Sequence, residues 1–157
     1  MSQFKVEKNR VPASLSLATG QTVTGCFFVL GSLNNAVGFE RIGDVLNADA
    51  GFFPFQRDDG TTAQYNRAHV VLVRLPGGLD EEALEPGYDA GQRRNVVITL
   101  STGARIDGIV TVYGPAGYDR LSDYARRARH FRYVVTPFGS VIVNADHIVE
   151  VLEKSES

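Results

Sequence analysis

The sequence predicts an all-β chain built from two tandem small barrels, each with five short strands and a short helix between strands two and three. Three observations predict it. The chain resembles itself at a nearly constant offset, its apolar residues alternate with polar ones over short runs, and glycine turns punctuate those runs at matching places. The self-resemblance is the most direct of the three. Leu17, Thr19, Gly20, Gly25, Val29 and Gly31 recur as Leu100, Thr102, Gly103, Gly108, Val112 and Gly114, at an offset of 83. Arg41, Asp44, Phe52 and Gly60 recur as Arg120, Asp123, Phe131 and Gly139, at 79. Asn66, His69, Val71 and Val73 recur as Asn144, His147, Val149 and Val151, at 78. The offset falls because the first copy carries about five more residues, mostly around Gly31–Asn35. These landmarks predict units over 8–75 and 93–154, joined by an acidic Pro/Gly linker over 76–92.

Each strand follows from its own pattern. In the second unit Val96, Ile98 and Leu100 alternate with polar residues before the Ser101–Ala104 turn, and Ile106 to Val112 continue as strand two. Phe131, Tyr133 and Val135 form strand three, stopped by Pro137-Phe138-Gly139; Val141 and Val143, then Ile148 to Val151, form strands four and five around a tight Asn144-Ala145-Asp146 corner. The first unit repeats this with Leu15/Leu17, Val23–Leu30, Phe52–Phe55, Tyr65 and Val70–Val73. Cys26 aligns with Ile109 and is expected in the core. The helical signal is Asp119–Arg129, with Leu121, Tyr124, Ala125 and Ala128 on one face; its shorter counterpart is Arg41–Asn47. Closing each unit into a barrel would hide the strand edges that five strands otherwise expose.

Composition bounds the function. The chain has 157 residues, 43% hydrophobic and 22% charged, which is the composition of a globular protein. The longest apolar run is the five residues Cys26–Leu30, too short for a membrane-spanning helix. One cysteine cannot form an internal disulfide, and with three histidines a structural zinc site is not expected; neither is a cofactor. No secretory signal is legible in the first residues, so the expected location is cytoplasmic.

The run Val97-Ile98-Thr99-Leu100-Ser101-Thr102-Gly103-Ala104-Arg105-Ile106-Asp107-Gly108-Ile109-Val110 resembles the opening of Sm-like proteins, with an alternating strand, a glycine turn, and a second glycine that lets strand two bend. Leu15, Leu17, Gly20, Val23 and Gly25 carry the same resemblance in the first unit. It implies a Sm-like, Src-homology-3-like small-barrel fold. Sm-like proteins place an Asn in strand three and Arg-Gly or Lys-His in the last corner for RNA contact. Here the corners read Asn66-Arg67-Ala68-His69 and Asn144-Ala145-Asp146-His147, so the family's RNA-contact residues are not matched.

The candidate site residues fall into two groups. Arg41/Asp44, Arg120/Asp123, Asn66/His69 and Asn144/His147 occur twice and are read as structural or anchor positions. The arginine–aspartate pairs have the i, i+3 spacing of a salt bridge on a helical turn, and the histidines can bond a backbone carbonyl at a corner. The second group is basic: Arg120, Arg126, Arg127, Arg129 and Arg132 with Tyr124, in a segment from Arg93 to Arg132 whose local charge is +5. Arginines interleaved with aromatics suit phosphate contact and base stacking. The same arginines could instead dock the linker acids Asp80, Glu81, Glu82, Glu85 and Asp89.

No nucleophile elbow, phosphate loop or dinucleotide fingerprint occurs, so no catalytic residue is assigned. The expected function is a non-enzymatic binding or assembly module, with a protein partner or self-association into a homo-oligomer and no membrane contact. RNA binding by the arginine face is the alternative, less favoured because the net charge is −2; an enzyme with its site between the units is the weaker one.

Overall fold

A computed structural model of the chain describes residues 8–30, 40–48, 51–77, 81, 90–113 and 130–154. Ten strands run in it: β1 Lys8–Leu17, β2 Thr22–Leu30, β3 Phe52–Arg57, β4 Thr62–Asn66, β5 Val70–Arg74, β6 Gln92–Leu100, β7 Arg105–Val112, β8 Phe131–Thr136, β9 Gly139–Asn144 and β10 Ile148–Glu153. One α-helix, α1 (Ile42–Ala48), lies between β2 and β3 among the described residues. The second expected helix, Asp119–Arg129, lies outside them. All ten predicted strands are present.

Their assembly differs from the expectation of two separate barrels. Every strand belongs to one antiparallel sheet that does not close, ordered β10-β6-β7-β8-β9-β5-β1-β2-β3-β4. Split between β9 and β5, each half has the same internal order: its fifth strand, then first, second, third and fourth. The physical reason for the single sheet is the edge. β5 would otherwise present an open row of backbone donors and acceptors, and β9 takes it up through Leu72↔Val143, Val73↔Ile142 and Arg74↔Val141.

Details inside the halves coincide. β5 pairs with β1 through Leu17↔Val70 and Ser16↔Leu72, skipping Val71; β10 pairs with β6 through Leu100↔Ile148 and Thr99↔Glu150, skipping Val149. The same one-residue bulge therefore sits at the same place. Gly20 and Gly103 turn with φ of 91° and 89°, a region that favours glycine. Gly25 and Gly108 serve another purpose. A Cβ on Gly25 would stand 2.0 Å from the Gln56 carbonyl oxygen, and one on Gly108 would stand 2.6 Å from that of Val135. These glycines let the third strand of each half cross closely over the second.

Two cores result, and both draw on both halves. The first gathers Leu15, Phe27, Val29, Ile42, Leu46, Phe53 and Phe55, together with Phe131, Tyr133 and Ile142 from the second half. Phe27 stacks on Phe53 at 5.4 Å and meets Phe55 edge-on at 5.2 Å. Burying each of these rings contributes roughly 1.5–3 kcal/mol. The second core is aliphatic, with Val96, Ile98, Leu100, Val110, Val134 and Val143, and it takes Val71 and Leu72 from the first half. Cys26 corrects an expectation. It is only half-buried, because Val23, Phe27 and Val29 occupy the inward phase of β2 and leave Cys26 on the opposite face. No helix of the described residues is long and apolar enough to cross a membrane.

Candidate functional site

The richest polar chemistry lies at the junction where β5 meets β9. Helix α1 is placed over it by the residue before its start. Arg41 is buried and grips Asp44 twice, Nη2 to Oδ1 at 2.9 Å and Nε to Oδ2 at 3.1 Å. The Arg41 backbone N–H also donates to Asp44 Oδ2 at 3.0 Å, so one carboxylate fixes the entry to the helix.

Glu81 is only 2% exposed and carries the next contact. Its carboxylate accepts from the Ile42 N–H at 3.0 Å and from the Tyr133 hydroxyl at 2.8 Å. The Gly43 N–H donates to that hydroxyl at 3.1 Å, and the Arg41 guanidinium stands 5.9 Å from the Tyr133 ring centroid. Gly43 has no alternative residue here: a Cβ would lie 2.4 Å from the Tyr133 hydroxyl oxygen. Burial raises the Glu81 carboxyl above the usual carboxylate range, against the hydrogen bonds from Ile42 and Tyr133 and the charge of Arg41, which lower it. Burial and the Glu81 charge push the Tyr133 hydroxyl far up, so it stays a donor.

At the other end of α1, Arg67 closes the helix. Its guanidinium donates to the carbonyls of Val45 at 2.8 Å, Leu46 at 3.1 Å and Phe52 at 2.9 Å. A cation there also complements the negative end of the helix. Asn47 reaches across the junction in both senses, donating from Nδ2 to the Phe131 carbonyl at 3.0 Å and accepting at Oδ1 from the Phe131 N–H at 2.9 Å.

The two predicted corners meet here. In each, the asparagine side chain caps a short 3₁₀ turn: Asn66 Oδ1 accepts from the Ala68 N–H, and Asn144 Oδ1 from the Asp146 N–H, both at 3.0 Å. The N-cap of each turn is thus its asparagine, whose short amide reaches the turn's second N–H. Asn144 is buried, and its Nδ2 donates across the junction to the carbonyls of Val70 at 2.9 Å and Arg67 at 3.3 Å. His147 Nε2 bonds the Ala68 carbonyl at 2.8 Å, also across the junction. A carbonyl can only accept, so in the neutral ring Nδ1 accepts from the Ser101 hydroxyl at 2.7 Å. Among the described residues, Asn66 and His69 make no such crossing.

Between the corners and α1 lies a cavity of about 520 Å³ whose lining includes Asn47, Asn66, Arg67, His130, Phe131 and Asp146. His130 Nδ1 stands 3.3 Å from Asp146 Oδ2, with both side chains well exposed. The lining offers amide, guanidinium and imidazole hydrogen bonds. Among the described residues, no group of three or more His, Cys, Asp or Glu is placed to hold a metal ion.

Of the predicted site residues, the structure brings Arg41, Asp44, Asn66, Asn144 and His147 to this junction. Arg132 lies on β8, half-buried, opposite Val143 of β9. Arg120, Asp123, Tyr124, Arg126, Arg127 and Arg129 lie outside the described residues. Glu81, Asn47, Arg67 and Tyr133 are the junction residues that sequence reading did not single out. Tyr133 carried a usable signal, since a tyrosine on an inward strand position needs a partner for its hydroxyl. Glu81 carried none, being one acid in a run of five. Comparison with protein-family models, with curated proteins and with solved structures finds no match to this chain.

Proposed function

We propose that the chain is a duplicated small-barrel unit of Sm-like type that works as a non-enzymatic binding and assembly module. One observation carries the reading: the two halves share strand order, bulge position and corner hydrogen bonds, and join by pairing the fifth strand of one to the fourth strand of the other. The asparagine caps and the backbone bonds that close the corners agree atom for atom. The Ala18 N–H donates to the His69 carbonyl and the Ser101 N–H to the His147 carbonyl, both at 2.8 Å.

An arrangement that joins its own units edge to edge has strand addition as its natural mode of association. The protein partner in this reading is another copy of the chain, in a cytoplasmic homo-oligomer that needs no cofactor. The junction residues then have a structural role, tying Glu81, the helix and the two halves of the sheet together.

Light scattering on the purified chain, run beside titration with a single-stranded RNA oligonucleotide at physiological salt, tests the reading. The expected result is a particle larger than one chain and RNA binding that is weak and unselective. A monomer that binds RNA at micromolar concentration or tighter would overturn it in favour of the arginine segment. Such binding would weaken by about 0.7 log units per log unit of salt for each phosphate contacted.

A further inference from the structure

Among the described residues the sheet has two open ends, β4 and β10. They are the counterparts of the strands that pair at the junction, because β4 stands in the first half where β9 stands in the second, and β10 where β5 does. The junction can therefore be compared with the free ends position by position.

Four positions give the same answer. Phe131 is 4% exposed against α1, whereas its counterpart Phe52 is 62% exposed. Val71, in the bulge of β5, is 1% exposed, whereas Val149 in the bulge of β10 is 68% exposed. Asn144 spends its amide N–H groups on Arg67 and Val70 across the junction; among the described residues the Asn66 amide N–H groups have no partner. His147 bonds the Ala68 carbonyl across the junction, and the His69 ring has no counterpart bond among the described residues. At these positions a free end carries a residue of the type that the junction buries or satisfies. Isolated exposed apolar residues are ordinary on a protein surface, but here they coincide with an open strand edge and unmatched donors.

We propose that β10 of one copy adds to β4 of a second copy in the register that β9 and β5 use within the chain. Transferring that register pairs Glu150 with Tyr65, Val151 with Gln64 and Leu152 with Ala63 of the next copy. Asn66 of that next copy then donates to the carbonyls of Ala145 and Ile148 of the copy that offers β10, and its His69 bonds that copy's Asp146 carbonyl. The contact is heterologous: each copy offers two different edges, so copies follow head to tail into a ring where the rotation closes and a filament where it does not. The new junction is not identical to the old one. Tyr133 has Pro54 as its counterpart, so the hydroxyl that engages Glu81 is missing there. Halves of one chain are thereby distinguished from halves of neighbouring chains. This inference rests on the duplication proposed above.

Cysteine pairing tests it in a Cys26→Ser background, which removes the only native thiol. Gln64→Cys and Val151→Cys are made singly and together, and each protein is oxidised with copper–phenanthroline. A ladder of covalent multimers from the double variant, with neither single variant cross-linking, is the expected result. Dimers from Gln64→Cys alone or Val151→Cys alone would mean that like edges pair; this overturns the head-to-tail register and leaves self-association standing. An oligomer by light scattering with no cross-link in any variant would likewise overturn the register only. A monomer in every variant and in the unmodified chain would overturn the inference together with the self-association it rests on. As a second measurement, Phe52→Asp is expected to shift the association midpoint at least tenfold while leaving the thermal transition of the chain in place.

Discussion

At the residue scale, two side-chain-free positions and one buried acid set the clearest expectations. Gly25 sits where a Cβ would meet the Gln56 carbonyl oxygen at 2.0 Å, and a strand carbonyl cannot swing aside as a side chain can. Gly25→Ala is expected to lose about 1–3 kcal/mol, the usual range for forced overpacking. Gly20→Ala, with open space around it but a φ of 91°, should lose only the conformational part, about 1–2 kcal/mol. Urea midpoints of the two variants would check the order. Glu81 has a folded-state pKa raised above its ordinary 4.5 by burial. The folded chain therefore holds this proton more tightly than the unfolded chain. Its effect is absent below the ordinary carboxylate range, and it lowers stability as pH rises through that range to the raised value. Against Glu81→Gln, which does not titrate, the unmodified chain should lose relative stability as pH rises above about 4.5. A pH-independent difference between the two unfolding curves would contradict this.

At the element scale, the two corners form a natural control for one another. Asn144 caps its turn and also holds two carbonyls of the other half while fully buried; among the described residues Asn66 only caps. Asn144→Ala should cost about 1–3 kcal/mol, because buried carbonyls are left without donors. Asn66→Ala should cost about 1 kcal/mol in the isolated chain, the value of a cap. Equal losses in thermal unfolding of the monomeric chain would show that the crossing bonds of Asn144 contribute little. The ten strands were legible because each is a short alternating or continuously apolar run set off by turn residues such as Gly, Pro and Asn, a pattern that depends on local geometry alone. The phase of β2 was not fully legible. Cys26-Phe27-Phe28-Val29-Leu30 is continuously apolar, and alternation within such a run cannot say which side is the core. The neighbouring Gly25, which must face β3, settles it.

At the scale of the whole molecule, the interleaving of the two cores decides how the chain unfolds. Phe131, Tyr133 and Ile142 are built into the first core, and Val71 and Leu72 into the second, so neither half can open without exposing part of the other. Heat or denaturant should therefore produce one cooperative transition, with tyrosine fluorescence and far-ultraviolet circular dichroism coinciding. Two separated transitions would mean that the halves behave as independent units despite the shared side chains.

The strands, the turn glycines, the pairing of Arg41 with Asp44 and the correspondence between the halves are properties of the sequence itself. Each depends on residues close in the chain or on a comparison of the chain with itself. What only the tertiary structure decided is what lies between the halves. The β5–β9 pairing joins positions about seventy residues apart, and backbone bonding carries almost no signature in side-chain type. The burial of Glu81 between Ile42 and Tyr133 likewise depends on three distant segments converging, and an acid that will be buried looks in sequence like any other. Local pattern specifies which segments become strands; the open edges those strands create, and the need to satisfy them, specify how the halves meet.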